Sequence, residues 1–573
     1  MGNQIHYELF KRTGAKGGWT LHEAASSRER AIEMAQTLMA EEKATGVKVV
    51  KETYNDETGD YLSLKIFEEG HNRVKLDVRQ EDAPSALPCF KPDDLYSYHA
   101  RSTIARLLSD FLARCRITVT ELLHRGDMLE KLEATGTLYQ HAVQKVAVAQ
   151  ASSTGQPVQQ IIKSLNELTE KAIQKVYRDE RAGLFPEPQA AEFAPLAVKL
   201  ADAADGAYLF NGAVARYLRS AEGWDEKVHR LIALMEQAPQ EEKPRRLLLC
   251  AIDAVIAEIL AGSAALRELL GPAETLAQSL SNLVELFLGK AQAGSQGLAA
   301  LTASFARDEL PESRTAIANR IVAELKANRR LCPASLVEEL KSLRQLANRV
   351  VLGIGKYMSH EDLIAAFTLR SKRLVVQEIL APYIDGATPD EKFERLMFVE
   401  ENVIGVENKR ALAAFVQPVM TSAAFDNHFQ NPRLPLLARL QKLAQLQARV
   451  SRSGFVDVTR ADICEHLDTL AGQVEAHGKL LDSVEARNVS SVEKAQTLLR
   501  LFTTGLFTEG RLAEAARARI LAHLGKPGFL AGYAAATKKD GETPDAEKAM
   551  AELIAALGKI GIAPEIGVKS IAA

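Results

Sequence analysis

Along most of this chain apolar positions recur three and four residues apart, the spacing of a helix face. The extreme case is Arg245–Gly262, RRLLLCAIDAVIAEILAG. There Leu247, Leu248, Leu249, Ile252, Val255, Ile256, Ile259 and Leu260 cover a broad face, and Arg246, Cys250, Asp253, Ala257 and Ala261 form a narrow stripe. A helix apolar nearly all round is enclosed by other helices or by lipid. A membrane span takes about 20 apolar residues, and Asp253 and Glu258 interrupt this one. The segment is therefore expected at the buried middle of a helical array.

Residues 5–68 carry a different period. Ile5, Tyr7 and Leu9 alternate with polar neighbours, as do Trp19 and Leu21, Val47 and Val49, and Leu62, Leu64 and Ile66. Alternation is the signature of strands buried on one face. Thr13–Gly18 has the glycines of a hairpin, and Asn55–Gly59 reads as a turn. Between the strand pairs, Ser26-x-x-Glu29 reads as a capping box, followed by Ile32, Ala35 and Leu38 at helical spacing. The predicted order is ββαββ, one helix on one face of a small antiparallel sheet. Arg73–Arg79 has the makings of a further strand before Pro84, Pro88 and Pro92 break regular structure.

From Asp93 onward the pattern is helical. Ile104, Leu107, Leu108, Phe111, Leu112 and Cys115 share a face. Capping boxes start helices at Thr118, Ser335 and Ser359, and the runs Thr388–Glu391 and Thr543–Glu547 place an N-cap, a first-turn proline and early acids together. These signals give about eighteen helices between 93 and 560. Gly183–Pro188 is the expected boundary inside this part, and Lys538–Asp545 a polar linker. The fold class that follows is mainly α: a large irregular helical array, solenoid or packed bundles, behind a small N-terminal α+β module. Its expected divisions are 1–70 for the module, 71–92 for a linker, 93–182 for a first helical domain, 189–537 for the array, and 538–573 for a linker, last helix and tail. No tetratricopeptide or ankyrin signature recurs.

Composition narrows function by exclusion. A net charge of −3 over 573 residues points to neither nucleic acid nor a membrane surface, and 6% aromatics offer no stacking platform. The five cysteines, Cys89, Cys115, Cys250, Cys332 and Cys464, are scattered and odd in number, which fits a reducing cytoplasm. The N-terminus shows no signal-peptide pattern, and His6 stands where myristoylation needs Ser or Thr.

Few stretches carry chemistry. Glu121-x-x-His124 and Glu226-x-x-His229 have the spacing of helical carboxylate–histidine metal ligands, although Glu121 also serves as a capping-box acid. Gly353-Ile354-Gly355-Lys356 resembles a phosphate loop but lacks the Ser/Thr and the preceding strand, so a glycine helix cap is expected there. Asp462, Cys464, Glu465, His466 and Asp468 cluster within one helical stretch, read as a solvated face. Asn427–Pro435 reads as a loop with His428 and Phe429 at its tip.

One charge anomaly stands out. Between 326 and 373, ten basic residues (Lys326, Arg329, Arg330, Lys341, Arg344, Arg349, Lys356, Arg370, Lys372 and Arg373) face only four acids. Gathered on one side, they would grip an anionic segment or ligand. The resulting expectation is a non-enzymatic cytoplasmic scaffold, adaptor or regulatory platform with no cofactor. It would bind acidic or helical segments of protein partners in its grooves and self-associate through a sheet edge. The alternatives are a regulator binding a small anion such as a nucleotide second messenger, and a helical metal-dependent enzyme built on His124 and His229.

Overall fold

The computed structural model describes residues 5–13, 19–41, 43–55, 60–69, 87–292, 294–353, 355–507, 509–537 and 546–567. The chain is mainly α-helical with one small antiparallel sheet near its N-terminus. It divides into two compact units. The smaller comprises Met1–Lys91 with His141–Leu168, the larger Pro92–Gln140 with Thr169–Ala573. The hairpin loop at 14–18, the turn at 56–59, the Arg73–Arg79 strand and the 538–545 linker fall outside the described residues.

In the smaller unit the strands are β1 (Ile5–Arg12), β2 (Thr20–Ala25), β3 (Gly46–Asn55) and β4 (Asp60–Glu69), paired antiparallel in the order β2-β1-β3-β4. Helix α1 (Arg28–Ala40) lies between the strand pairs in sequence. The alternation places Leu9, Val47 and Val49 on one face, with Leu9 opposite Val49, and Ala31, Ala35 and Leu38 of α1 close that core. The helix is capped one residue later than Ser26-x-x-Glu29 implies. Ser27 is the N-cap and accepts from the Arg30 amide.

The larger unit opens with α2 (Tyr98–Leu107) and the single turn α3 (Val119–Leu122). Next come α4 (Trp224–Met235), α5 (Glu242–Ala261) and α6 (Ser263–Leu270). Then follow α7 (Leu276–Phe287), α8 (Pro311–Lys326), α9 (Leu336–Val350), α10 (His360–Leu374), α11 (Pro389–Asn402), α12 (Val406–Met420), α13 (Leu436–Ser451), α14 (Asp457–Gly478) and α15 (Arg511–Leu524). Further helices lie between these, and the described residues hold more than the eighteen expected. The extra ones are short, such as Ala423–Gln430 and Leu480–Glu485, too brief to show a period.

The long helices pack as two rows. In one, α7 lies on α9, α9 on α11 and α11 on α13. In the other, α5 lies on α8, α8 on α10, α10 on α12, α12 on α14 and α14 on α15. One continuous apolar core runs through them from Phe193 to Ile562. Helix α5 sits in that core as its pattern requires, with Leu248, Ile252, Val255, Ile256, Ile259 and Leu260 essentially sealed. Its narrow stripe leaves Arg246 and Cys250 exposed while Asp253 is buried. Gly183–Pro188 lies inside the larger unit, with Phe185 buried.

Buried polar side chains fasten the second row at helix ends. Asp253 of α5 accepts the Glu312 and Ser313 amides of α8, both at 2.8 Å. Arg370 of α10 donates to the carbonyls of Glu324, Leu325, Ala327 and Arg329, which close α8. Ser371 accepts from the Ile404 amide just ahead of α12, and Asn408 of α12 donates to the Thr368 carbonyl. Asp468 of α14 accepts the Arg511 amide that begins α15. Helix ends carry amides and carbonyls without intrahelical partners, so each such bond removes an unmet polar group as well as joining two helices.

Candidate functional site

Buried charge in the larger unit gathers along Thr118–Arg125, where every residue is buried. The capping box forms as the sequence implies. Thr118 accepts from the Glu121 amide and Glu121 from the Thr118 amide. The Glu121 carboxylate is 0% exposed, and the Lys227 ammonium of α4 meets both of its oxygens at 2.7 Å. The same ammonium donates to the Arg116 carbonyl at 2.6 Å, and Arg125 stands 3.7 Å from Glu121. Burial pulls the Lys227 amine below its ordinary range, against the pull of Glu121 that raises it.

The four metal-ligand candidates therefore take separate roles. Glu121 is occupied by an ammonium ion. Glu226 turns toward Arg230 and the Glu222 amide, and His229 is exposed. His124 is 1% exposed, and its Nδ1 lies 2.7 Å from the Thr120 carbonyl, to which it donates. Its Nε2 has no hydrogen-bond partner and lies among the rings of Tyr96, Phe185 and Tyr208. Burial pushes the His124 pKa down to about 4, so the ring is neutral at pH 7. Glu226 and His229 share helix α4, but His124 lies beyond the single turn α3, and it is Lys227 of α4 that reaches Glu121. Among the described residues no three His, Cys, Asp or Glu side chains stand together as a metal site.

The structure also disperses the basic stretch. Arg370 is buried on backbone carbonyls, and Arg373 donates to the Lys326 and Ala327 carbonyls. Arg330 pairs with Glu339, Lys341 with Glu338, Arg349 with Glu285, Lys356 with Asp308 and Lys326 with Asp362. Arg344 donates to the Glu401 carbonyl. Of the ten, only the side chains of Arg329 and Lys372 make no hydrogen bond or ion pair with described residues. A run of charge in sequence turns through every direction once it is helical, and most of these groups find local partners.

The other stretches resolve likewise. Lys356 and Tyr357 both bond Asp308, and Gly353 presses against the Phe287 ring where a Cβ would collide. His466 pairs with Asp426 at 3.1 Å, and burial pushes the Cys464 thiol up, away from the thiolate. The expected loop at Asn427–Pro435 is half helix: Phe429 is buried in Ala423–Gln430, and His428 stands 3.3 Å from Asp390.

What the structure brings together, and sequence spacing does not reveal, are two clefts on either side of α6. One, of about 610 Å³, is bounded by α2, the end of α5, the start of α6 and α8, and carries Arg101, Arg106, Arg267 and Arg320. The other, of about 430 Å³, lies toward the start of α7 and the end of α8, and carries Arg267, Arg320, Arg329 and Arg330. In the first, Arg101 bridges Glu258 at 2.6 Å and Glu312 at 3.4 Å, and Glu258 also accepts from the Thr120 amide and hydroxyl. Burial raises both carboxyl groups, against the lowering effect of Arg101. Arg320 donates to the Ser263 hydroxyl at 2.9 Å and pairs with Glu324. The side chains of Arg106 and Arg267 are exposed and bond no described residue. No local signal could have found this group, because Arg101 and Arg320 stand more than 200 residues apart in sequence.

Among the described residues no single helix is long and apolar enough to cross a membrane. The chain matches no family model, no curated protein and no solved structure.

Proposed function

We propose that this chain is a non-enzymatic cytoplasmic interaction protein whose stacked helices act as a scaffold or regulatory platform for protein partners. The observation that carries this reading is the two-row packing around one core. We take it as a succession of helical repeats, each made of one helix from each row and a short connecting helix. Such a stack exposes the ends and edges of many equivalent helices, which is the surface that solenoid proteins use for binding.

Exposed apolar side chains at helix ends supply the contacts a partner helix would need. Val406 at the start of α12 is 62% exposed, Val458 at the start of α14 71%, and Leu352 just after α9 68%. Helices α12 and α14 are packed neighbours, so Val406 and Val458 mark corresponding ends of adjacent elements. The small N-terminal module offers β2 and β4 as sheet edges for a second contact.

Affinity purification from native extract, followed by reassembly from purified components, tests this. A stoichiometric complex is expected, lost in the double substitution Val406→Asp and Val458→Asp while the melting temperature stays unchanged. A complex indifferent to both substitutions, or a chain that stays alone and turns over a small substrate, rejects it.

A further inference from the structure

The clefts beside α6 hold cations that the fold leaves unused. Of the six arginines that border them, Arg101, Arg320 and Arg330 are engaged by Glu258 and Glu312, by Ser263 and Glu324, and by Glu339. The side chains of the other three, Arg106, Arg267 and Arg329, bond no described residue. A single unpaired surface arginine is ordinary. Here Arg106 and Arg267 border the larger cleft and Arg267 and Arg329 the smaller, with the engaged Arg101, Arg320 and Arg330 also in the linings.

Their arrangement centres on Ser263. The Arg320 guanidinium is fixed against its hydroxyl, and Arg267 follows one helical turn later on the same face of α6. Arg267 and Arg320 border both clefts. Guanidinium groups are planar forks that match phosphoryl oxygens two at a time, and they remain charged at any physiological pH. Helix α6 begins at Gly262 with no side-chain cap, and its first residues line the larger cleft, so their amides add to the same field. The lining also includes the apolar Leu112, Ile117 and Trp224. At about 610 Å³ the cleft is sized for a small molecule.

We infer that the cleft beside α6 binds a small phosphorylated organic anion, with its phosphoryl group between Arg267 and Arg320 and its organic body against Leu112, Ile117 and Trp224. The inference is independent of the interaction reading, whose test uses Val406 and Val458, far from these residues in sequence and outside both clefts.

Isothermal calorimetry at low salt, with adenosine 5′-monophosphate and inorganic pyrophosphate as probes, decides it. The nucleotide is expected to bind the full chain with a Kd below about 1 mM. Arg267→Glu should weaken it at least about tenfold, since it replaces a phosphate partner by a repelling charge. Lys372→Glu is the control. Lys372 is equally exposed and unpaired but borders neither cleft, so its loss should alter affinity less than about twofold. Neither side chain bonds the fold, so circular dichroism and melting should match the parent in both variants. Three results overturn the inference: no heat from either probe up to about 10 mM, equal weakening by both substitutions, or binding of pyrophosphate without the nucleotide.

Discussion

The Lys326–Arg373 stretch and the cleft beside α6 both carry a surplus of cations, and they put it to opposite uses. In the first, the charges are consecutive in sequence and consumed in the fold: Arg370 and Arg373 close α8, and others pair with nearby acids. In the second, the charges come from α2, α6 and α8, and Arg106 and Arg267 remain open. A cation is available to a ligand only where three-dimensional packing leaves it without a carboxylate or carbonyl, and linear density is a poor guide to that.

This contrast can be broken at several points. The largest effect is expected at Lys227, the most deeply committed cation. Lys227→Ala strands the Glu121 carboxylate, 0% exposed, and should destabilise by about 3–5 kcal/mol in urea unfolding. A loss below about 1 kcal/mol would mean that water or Arg125 replaces the ammonium.

Arg370→Ala comes next. It removes the donors of four backbone carbonyls at the end of α8, worth about 3 kcal/mol together. Hydrogen exchange should show the end of α8 fraying first.

His124 supplies a pH test of comparable size. Its folded pKa, about 4, lies below its ordinary value of 6.5. Above pH 6.5 neither state carries the proton, so stability does not depend on this group. As pH falls from about 6.5 to about 4, the unfolded chain takes up a proton that the folded chain refuses, and about 3 kcal/mol is lost at 1.36 kcal/mol per unit. His124→Phe should remove that part of the acid sensitivity, and parallel stability curves for the two proteins would refute the assignment.

The smallest effect sharpens the contrast. Arg329→Ala and Lys372→Ala, the two unconsumed cations of the basic stretch, should each change stability by less than about 0.5 kcal/mol.

Much of the architecture was legible in the residues. Alternation at Tyr7–Leu9 and Val47–Val49 marks strands because a sheet with one covered face must sort its side chains by parity. The enclosed face of α5 follows from Leu248 to Leu260 because nothing polar interrupts it except Asp253 and Glu258, and both of those have buried partners. Boundaries were read less well. Ser26 and Ser27 are equally good caps on paper, and Asn427–Pro435 looks like a loop because its Asn and Pro residues hide that Phe425 and Phe429 share a helix face. The charged chemistry was largely illegible. Glu121 and His124 show the spacing of metal ligands, yet the partner that decides the role of Glu121 is Lys227, 106 residues on. The arginines beside α6 are likewise joined only by tertiary structure.

The fasteners along the second row have a consequence for how the sequence can vary. Asp253, Arg370, Ser371 and Asp468 all address main-chain atoms of the helix they hold, so the recipient supplies only its amides or carbonyls. Such a joint fixes how far one helix slides past the next while placing no demand on the recipient's side-chain identity. Substitutions at Glu312, Ala327 or Ile404 should thus leave these hydrogen bonds in place, whereas a single change at any of the four donors or acceptors uncouples two neighbours. Mutational tolerance in this region should be lopsided, stringent on one side of every joint and permissive on the other.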